Sequence, residues 1–369
     1  MSTPTKEWYC PLPFISISSD SGGHYALCCE SQPAPQHCTD TTLSEFKNSD
    51  YMNNVRAGFE SDDPKSVPEI KSACNQCISK ELDGATSKRM REIKNTEQSN
   101  YLELKLIGNI CNYACVMCNP LSSSKIAEAQ GLDIPKWFKL SDEWWDDFDE
   151  ISKDYTHYKF SGGEPFMSPT TTKILKRLVA SGKSKDMVLQ FNTNGAGSTR
   201  VVQKLLDNFK SISLGFSIDA WGGRNELIRK HSKWTFTEDM LWGYANLVRL
   251  NKNLNLTVHP CVSTLNVGYL YEFDEFVREA STLNRFSFSV TNTLAYPGRI
   301  NISRLPSSVK KEYLKNNYDF LSSGNVKGGK DLVELLTKPS RLVETWSPTW
   351  LEENLEGWEE WYPEFLPYV

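Results

Sequence analysis

The cysteines constrain this chain more than any other feature, because nine of the ten lie before residue 120. They are Cys10, Cys28, Cys29, Cys38, Cys74, Cys77, Cys111, Cys115 and Cys118, and the tenth is Cys261. Cysteines in a reducing compartment rarely form disulfides. Thiolates gathered along one stretch of chain are more typical of sites for iron or zinc, which soft sulfur ligands bind strongly. The spacing of the cysteines therefore has to decide what they hold.

The rest of the composition is that of an ordinary globular protein. The chain has 369 residues, of which 39% are hydrophobic and 24% are charged. Because single cores stop growing at roughly 250 to 300 residues, we expect one large domain and a smaller one. No apolar run approaches a membrane span, and the start MSTPTKEWYC has no basic or apolar signal region, so we expect a cytoplasmic protein without a membrane partner. A balance of 41 basic against 46 acidic residues argues against a nucleic acid partner.

The pattern from about residue 100 onward predicts an α/β fold. Runs rich in Val, Ile, Phe and Thr predict six strands: Tyr101–Ile107, Tyr158–Ser161, Met187–Phe191, Ser211–Ile218, Leu254–Val262 and Phe286–Val290. Segments of helical period separate most of them: Thr170–Ala180, Arg200–Phe209, Asp239–Leu250 and Tyr269–Ala280. This alternation predicts parallel strands with right-handed crossovers. Six units favour a partial (β/α)6 barrel, with the chemistry in loops after the strands.

The two ends of the chain depart from this rhythm. The first hundred residues carry paired cysteines and one predicted helix around Leu43–Gly58, and a module this small usually needs a metal or disulfide staple. After the strands we predict helices at Ser307–Leu321 and Lys330–Leu336, and we interpret the acidic aromatic tail WLEENLEGWEEWYPEFLPYV as a cap over one barrel end. We therefore divide the chain into a cysteine-rich module at 1–98, the partial barrel at 99–296 and a C-terminal helical and aromatic cap at 297–369.

The segment LKLIGNICNYACVMCNP carries the most specific motif. Cys111, Cys115 and Cys118 have the spacing C-x3-C-x2-C directly after the first predicted strand. Three thiolates on one tight loop can converge on an iron–sulfur cube, and such clusters normally use four protein thiolates. The missing fourth ligand leaves one iron open, which points to catalytic rather than structural use, as an open position does in zinc sites.

With this motif the sequence resembles the radical S-adenosylmethionine (SAM) superfamily, over the region from about Leu102 to Val290. Further motifs follow successive predicted strands in the expected order: Ser161-Gly162-Gly163-Glu164-Pro165, then Asn192-Thr193-Asn194-Gly195, then Ser217-Ile218-Asp219, and downstream Arg229 in LIRKH. The resemblance implies that Cys111, Cys115 and Cys118 bind a 4Fe–4S cluster. Taken singly the other motifs are weak, and their order after the strands is what connects them.

The resemblance also implies roles for these residues in binding SAM. Gly162, Gly163 and Glu164 look like the segment that binds the methionine amino group, since glycine admits close backbone approach and a carboxylate accepts charge-assisted hydrogen bonds from an ammonium. Ser217 and Asp219 look like the element near the ribose and carboxylate, and Asn194 belongs to the same predicted pocket. Arg229 stands where related enzymes often keep an arginine that binds the SAM carboxylate bidentately.

The implied activity is reductive cleavage of SAM to a 5′-deoxyadenosyl radical, which abstracts hydrogen from a substrate. The resemblance implies an electron donor of the flavodoxin or ferredoxin type, and it leaves the substrate open between a peptide and a small alcohol or sugar. No catalytic side chain is assigned. The alternative is an iron–sulfur binding or electron-transfer protein that keeps the scaffold without turning over SAM, which would need only the thiolates and not the SAM pocket.

A second set of cysteines precedes the first. Cys10, Gly23 and Cys28, followed by the pair Cys74 and Cys77, resemble the twitch or SPASM-type auxiliary cluster module of the same superfamily, here placed before the barrel as in a group often found in phage genomes. The resemblance implies an auxiliary 4Fe–4S cluster on these four cysteines. A zinc site fits the same C-x2-C spacing, and Cys29 could replace Cys28 as a ligand. We interpret the following segment, ELDGATSKRMRE, as a solvated linker, with a surface for an acidic substrate as the alternative.

Overall fold

The structure is a computed structural model that describes residues 8–82, 86–94, 99–105, 108–294, 300–338 and 355–364. Its strands, in chain order, are β1 (Ser16–Ser19), β2 (His24–Ala26), β3 (Pro33–His37), β4 (Tyr101–Leu104), β5 (Ala114–Cys115), β6 (His157–Phe160), β7 (Val188–Thr193), β8 (Ser211–Phe216), β9 (Arg229–Lys230), β10 (Leu254–Val258), β11 (Phe286–Ser289) and β12 (Val326–Lys327). The predicted α/β fold class is confirmed, and each of the six predicted strands is present within a few residues of its expected bounds.

Helices separate most of these strands. They are α1 (Leu12–Ile15), α2 (Leu43–Lys47), α3 (Asp50–Phe59), α4 (Pro68–Ala73), α5 (Asn75–Leu82), α6 (Lys88–Lys94), α7 (Ser124–Ala129), α8 (Asp142–Ile151), α9 (Pro169–Ala180), α10 (Thr199–Leu206), α11 (Gly223–Ile228), α12 (Trp234–Leu250), α13 (Asp274–Ala280), α14 (Ser307–Ser322), α15 (Gly329–Thr337) and α16 (Trp358–Trp361). No helix among the described residues is long and apolar enough to cross a membrane.

Two predicted helices differ from the observed ones. The helix expected around Leu43–Gly58 is two helices, because the Ser49 side chain accepts a hydrogen bond from Met52 N–H and begins α3. The helix expected over Tyr269–Ala280 is a 3₁₀ segment, Val267–Phe273, followed by α13. Capping and 3₁₀ geometry depend on local hydrogen bonds that periodicity alone does not reveal.

The chain divides into two compact units. The first contains Met1–Cys111, Pro120–Phe191 and Asp207–Ile212, and the second contains Asn112–Asn119, Asn192–Leu206 and Ser213–Val369. The first unit thus combines the cysteine-rich beginning of the chain with the first strands of the predicted barrel. The domain boundaries at residues 98 and 296 remain predictions.

The strands of the first unit lie in the order β3-β2-β1-β4-β6-β7. β1, β4, β6 and β7 are parallel neighbours, with Ser16 opposite Tyr101 and Tyr101 opposite His157. β2 and β3 extend the sheet as antiparallel strands. The cysteine-rich beginning therefore contributes three strands, which the sequence analysis did not predict, because these strands are short and interrupted by polar residues.

The strands of the second unit follow a parallel pattern as well. β10 pairs with β11, with Leu256 opposite Phe286, and β11 pairs with β12, with Phe288 opposite Val326. β12 is a strand that the sequence analysis did not predict. Alternate strand residues are fully buried and form the core, including Leu214, Leu256, Val258 and Phe288.

The described part of the C-terminal tail packs within the second unit. Tyr362 is fully buried, and its hydroxyl donates a hydrogen bond of 2.8 Å to the carbonyl of Leu265. The Arg224 guanidinium lies 3.5 Å from the centroid of the Tyr269 ring and 5.6 Å from that of Trp361, and it pairs with Glu272 at 2.6 Å. The cation–π contact with Trp361 therefore joins the tail to α11, the helix that leads into Arg229, while Tyr269 and Glu272 hold the Arg224 side chain.

A buried aromatic cluster in the first unit joins the beginning of the chain to α8. Tyr25 and Phe46 stack with centroids 4.6 Å apart, and the Trp144 indole N–H donates a 2.9 Å hydrogen bond to the Tyr25 hydroxyl. That hydroxyl donates in turn to the carbonyl of Thr41 at 2.8 Å.

Replacing Tyr25 with Phe tests this connection. We expect Tyr25→Phe to lower the free energy of unfolding by about 1–3 kcal/mol, because it leaves the buried indole N–H without its acceptor. Urea denaturation measures the change. Tyr318→Phe is the control at a half-exposed position, where we expect an effect within about 0.5 kcal/mol. Equal effects of the two substitutions would contradict the assignment.

Candidate functional site

The turn after β6 meets the residue that precedes Cys111. The backbone N–H of Glu164 donates a 2.7 Å hydrogen bond to the carbonyl of Ile110. A Cβ atom on Gly163 would lie only 2.3 Å from the same carbonyl oxygen, so only glycine permits this approach. Gly162 has φ of +129°, a backbone conformation that residues with side chains rarely adopt. The two glycines therefore hold the predicted SAM-binding turn against the start of the cysteine loop.

Glu164 is buried within this turn. It is 1% exposed, and its Oε1 accepts a 3.1 Å hydrogen bond from the backbone N–H of Phe166. An ionised carboxylate has about four lone-pair sites and accepts several hydrogen bonds at once. The backbone thus fixes the orientation of a buried carboxylate, a group that suits an ammonium.

Ser124 holds the first cysteine of the loop. Its hydroxyl accepts a 3.2 Å hydrogen bond from Cys111 N–H and donates one of 3.2 Å to the carbonyl of the same residue. Ser124 N–H donates to the carbonyl of Asn109 at 2.7 Å. The sequence analysis did not single out Ser124, because a serine at the start of a helix has no motif that separates it from an ordinary cap.

In the second unit a short ladder joins the next cysteine to Arg229. β5 and β9 pair in antiparallel fashion, with Cys115 opposite Arg229, and Val116 N–H donates to the carbonyl of Ile228 at 3.0 Å. Cys118 N–H donates to the carbonyl of Cys115 at 2.9 Å, which closes a tight turn. The structure therefore brings Cys115, Cys118 and Arg229 together, although more than a hundred residues separate them in the chain.

Arg229 is held by Asp219 and faces a thiol. Its Nε lies 2.8 Å from Asp219 Oδ2, and its Nη1 donates to Cys115 Sγ over 3.7 Å. Asp219 has no exposed surface, and its Oδ1 accepts a 2.8 Å hydrogen bond from Cys261 N–H. Although burial lowers the pKa of Arg229, Asp219 and Cys115 raise it above its usual value. Asp219 thus orients a permanent positive charge beside the cysteine loop.

Asn194 and Ser217 also lie at strand ends in the second unit. The Asn194 amide donates a 2.8 Å hydrogen bond to Asn112 Oδ1 in the cysteine loop. Ser217 N–H donates to the carbonyl of Thr193 at 2.9 Å. These contacts place Asn194 against the cysteine loop and Ser217 beside the end of β7. The roles of both residues in binding SAM remain predictions.

Cys261 is a neighbour of this group that belongs to none of the sequence motifs. Burial and the Asp219 carboxylate raise the pKa of its thiol to about 12, and Cys115 and Cys118 add to the rise while Arg229 opposes it. Its position after β10 brings it to the same edge as Asp219, which follows β8. Only the spatial order of the strands reveals this proximity.

The second set of cysteines lines one cavity in the first unit. Cys10, Cys28, Cys74 and Cys77 all contribute to its wall, together with the apolar side chains of Leu12, Leu27 and Phe59. Gly23, the glycine of the predicted motif, has φ of +91°, and a Cβ atom there would lie 2.3 Å from His37 Nε2. Ser31 Oγ fixes the Cys28 turn by accepting from Cys28 N–H at 3.2 Å.

These four thiols influence one another electrostatically. Burial raises the pKa of Cys74, and Cys10, Cys28 and Cys77 raise it further, while Arg89 opposes the shift. Burial likewise raises the pKa of Cys10 to about 12. Deprotonating one of these thiols alone is therefore costly. A bound metal cation would offset that cost, since thiols lose their protons when they bind metal.

Cys29 faces a different environment from Cys28. It does not line the cavity, and its pKa is raised by burial and by Glu103, with Lys159 opposing. Glu103 on β4 is 1% exposed and pairs with Lys159 on β6 at 2.6 Å. Although burial alone raises the pKa of Glu103, Lys159 and Lys105 hold it below its usual range. The cavity thus favours Cys28 over Cys29 as a ligand.

The segment interpreted as a solvated linker is partly buried. Arg89 is 7% exposed and lies in the wall of the four-cysteine cavity. Its Nε and Nη2 donate to the two carboxylate oxygens of Glu81 at 2.9 and 2.6 Å. The interpretation as a solvated linker is therefore wrong for Arg89, because the charges in this stretch pair with acidic residues that periodicity does not identify.

Among the described residues, no group of three or more His, Cys, Asp or Glu side chains is arranged so that it could hold a metal ion. The assignment of metal to Cys111, Cys115 and Cys118, and to the four cavity cysteines, remains a prediction. Chemically, both sets offer soft thiolate donors with a buried arginine nearby, which suits a negatively charged metal–thiolate group.

Comparisons with known proteins find only distant structural likeness. No family model and no curated protein matches the chain. Streptococcus suis SuiB bound to S-adenosylmethionine is 11% identical, with 74% of this chain and 65% of that chain covered and a TM-score of 0.40. SuiB bound to its precursor peptide SuiA is 14% identical, with 59% and 46% covered and a TM-score of 0.39.

TYW1 with a lysine–pyruvate adduct bound is 15% identical, with 57% of this chain and 70% of that chain covered and a TM-score of 0.32. The matched part spans less than two thirds of the length of SuiB. Likeness at these TM-scores carries no argument about what this chain does.

Replacing Asp219 with Asn tests the buried ion pair. We expect Asp219→Asn to lower the free energy of unfolding by about 3–5 kcal/mol, because it leaves the Arg229 guanidinium buried without its carboxylate. The control is Asp274→Asn, which removes an ion pair with Arg278, whose side chain is 70% exposed. We expect that substitution to cost about 1 kcal/mol or less. Similar losses in urea denaturation would refute a special role for Asp219.

Proposed function

We propose that this protein is a radical SAM enzyme. The observation that best supports this proposal is the arrangement around Arg229. Its Nε lies 2.8 Å from Asp219 Oδ2, and its Nη1 faces the Cys115 thiol. A buried cation beside a three-cysteine loop suits both a negatively charged cluster and the carboxylate of a ligand bound at its open iron. The donor set therefore fits a 4Fe–4S cluster with SAM.

The binding residues follow from the motifs and their surroundings. Cys111, Cys115 and Cys118 would hold the cluster. The turn of Gly162, Gly163 and Glu164 would receive the SAM amino group, with Asn194, Ser217 and Arg229 around the remaining polar groups. When bound, the cluster and SAM supply one-electron chemistry that yields a 5′-deoxyadenosyl radical for hydrogen abstraction.

The chain's own side chains orient the ligand and set the charge of the pocket. Glu164 is oriented by Phe166 N–H and accepts from an ammonium, whereas Asp219 acts through Arg229 by fixing the direction of its guanidinium. Asp219 is thus a positioning residue for Arg229. Such a prearranged donor needs no reorganisation when an anionic group binds.

The cavity in the first unit would hold a second metal group. We assign Cys10, Cys28, Cys74 and Cys77 to an auxiliary 4Fe–4S cluster, with a zinc ion as the alternative, on the basis of their common cavity and mutual electrostatic influence. We further propose an oxidoreductase that works in the cytoplasm with a flavodoxin or ferredoxin-type electron donor. Its substrate would be a peptide or a small molecule such as an alcohol or sugar.

Cleavage of SAM tests the catalytic site. We expect the anaerobically reconstituted protein to release 5′-deoxyadenosine from SAM with dithionite as the reductant, measured by chromatography. The variant with Cys111, Cys115 and Cys118 all changed to Ala should lose this product to background, since no cluster forms. Cys38→Ala is the control, because this buried cysteine lies outside both sets.

Retention of the product in the triple variant would refute the assignment. An iron-loaded native protein that releases no 5′-deoxyadenosine would instead favour an iron–sulfur protein without SAM turnover.

Metal analysis of the triple variant tests the second site. We expect about four irons and four sulfides per chain to remain, since a 4Fe–4S cluster on four other thiolates does not need the three substituted cysteines. Adding Cys28→Ala should lower the iron content, and adding Cys29→Ala should leave it unchanged, because only Cys28 lines the cavity. Zinc without sulfide would identify a zinc site, and equal effects of the two substitutions would contradict the ligand assignment.

A further inference from the structure

Arg89 is the feature of the four-cysteine cavity that the motifs do not explain. It lies in the cavity wall together with Trp8 and the four cysteines, and it is 7% exposed. An arginine is always charged, so a buried one needs partners for its charge and its donors. Its neighbours show how that requirement is met.

Glu81 and Trp8 fix Arg89 in one orientation. Two guanidinium nitrogens bind the two Glu81 oxygens at 2.9 and 2.6 Å, and Nη1 donates to the carbonyl of Tyr9 at 3.0 Å. The guanidinium carbon lies 4.8 Å from the centroid of the Trp8 ring, and the Trp8 indole N–H donates to Glu81 at 2.7 Å. A bidentate pair with a stacked aromatic ring leaves the guanidinium little freedom.

These contacts join three segments that carry or flank the cysteines. The carbonyl of Tyr9 directly precedes Cys10, and Glu81 lies four residues after Cys77, about one turn further along α5. Arg89 itself belongs to α6. One side chain therefore connects the Cys10 segment, the helix of Cys77 and the segment after it.

The Arg89–Glu81 ion pair is oriented with respect to the cavity. Arg89 lines the cavity whereas Glu81 does not, so the positive end of the pair faces the thiols. Four thiolates around iron or zinc give a site with net negative charge, and burying negative charge is costly unless a cation lies close by. Lys88 and Glu30 also line the wall and, like Arg89, have partners of opposite charge, Glu92 and Lys80 respectively. Arg89 differs in that it opposes the raised pKa of both Cys10 and Cys74.

We propose that Arg89 is the resident counter-cation of the four-cysteine site, and that Glu81 is the residue that positions it. This inference rests on the proposed second metal site. Arg89 donates no electron and binds no metal in this role. It stabilises the added negative charge when a cluster at these cysteines is reduced, and it holds the cysteine-bearing segments together.

Two substitutions by glutamine provide the test, because Arg89→Gln removes a positive charge and Glu81→Gln removes a negative one. The full chain carrying Cys111, Cys115 and Cys118→Ala is reconstituted with iron and sulfide, so that only the second site is loaded, and its midpoint potential is measured by redox titration with EPR detection. We expect Arg89→Gln to shift the reduction equilibrium about tenfold towards the oxidised form, which is about 59 mV lower for one electron. Glu81→Gln should shift it in the opposite direction.

Lys94→Gln is the matched control, because it removes one positive charge from an exposed position on the same helix. We expect its potential to equal that of the parent protein. Shifts of the same sign in Arg89→Gln and Glu81→Gln, or shifts no larger than that of the control, would overturn the proposal. A merely structural role for the pair predicts no such reversal of sign.

Arg89→Lys separates the charge of Arg89 from its bidentate contact with Glu81, and it covers the case in which Arg89→Gln does not fold. Lysine keeps the charge but lacks the bidentate fork, so we expect a near-native potential with metal loss to a chelator at least tenfold faster. A rate of metal loss equal to that of the parent protein would contradict the inference that Arg89 holds the cysteine-bearing segments together. If the site holds zinc, the same chelator assay applies to all variants, and Arg89→Gln must lose zinc at least tenfold faster.

The outcomes distinguish this inference from the proposed second site. A native chain that takes up neither iron nor zinc at these cysteines refutes the site and the role of Arg89 together. A loaded site whose potential and metal retention do not respond to Arg89→Gln and Arg89→Lys refutes the role of Arg89 alone.

Discussion

The structure depends on how it accommodates buried thiols, which carry negative charge whenever they are deprotonated. Each set of cysteines has an arginine beside it that is largely removed from solvent, and each of these arginines pairs with a carboxylate. Asp219 holds Arg229 at 2.8 Å beside Cys115, and Glu81 holds Arg89 at 2.6 Å in the wall of the four-cysteine cavity. An arginine suits this position because it stays charged when buried and its planar fork fixes its direction against a carboxylate. The same solution occurs twice in one chain, on unrelated local structures.

Backbone geometry supports this electrostatic arrangement. The carbonyl of Ile110 is approached so closely by the turn after β6 that Gly163 has no room for a side chain, and the neighbouring Gly162 has a positive φ. The ladder of β5 and β9 fixes Cys115 opposite Arg229. Hydrogen bonds of the backbone therefore place the loops, and the side chains of those loops then need little further ordering when a ligand binds. This is the usual advantage of building a site at the carboxyl ends of parallel strands.

The cysteine-rich beginning of the chain shares a sheet and an aromatic cluster with residues further along the chain. Its β1 pairs in parallel with β4, and its Tyr25, which stacks on Phe46, accepts a hydrogen bond from Trp144 of α8. Hydrophobic burial and a shared sheet thus stabilise this segment in addition to any metal. The expectation of a nearly coreless module considered only the residues before 100, whereas the partners of these side chains lie further along the chain.

The sequence by itself determined the α/β class, the approximate bounds of the six predicted strands and both sets of cysteines, because spacing and periodicity are local properties of the chain. It also identified Asp219 and Arg229 as candidates, but not their pairing with each other. Tertiary structure alone decided that Cys28 rather than Cys29 lines the cavity, that Cys261 lies near Cys115 and that Arg89 is buried. These features depend on contacts between residues far apart in the chain. Local spacing and periodicity do not indicate which distant side chains the folded strands bring together.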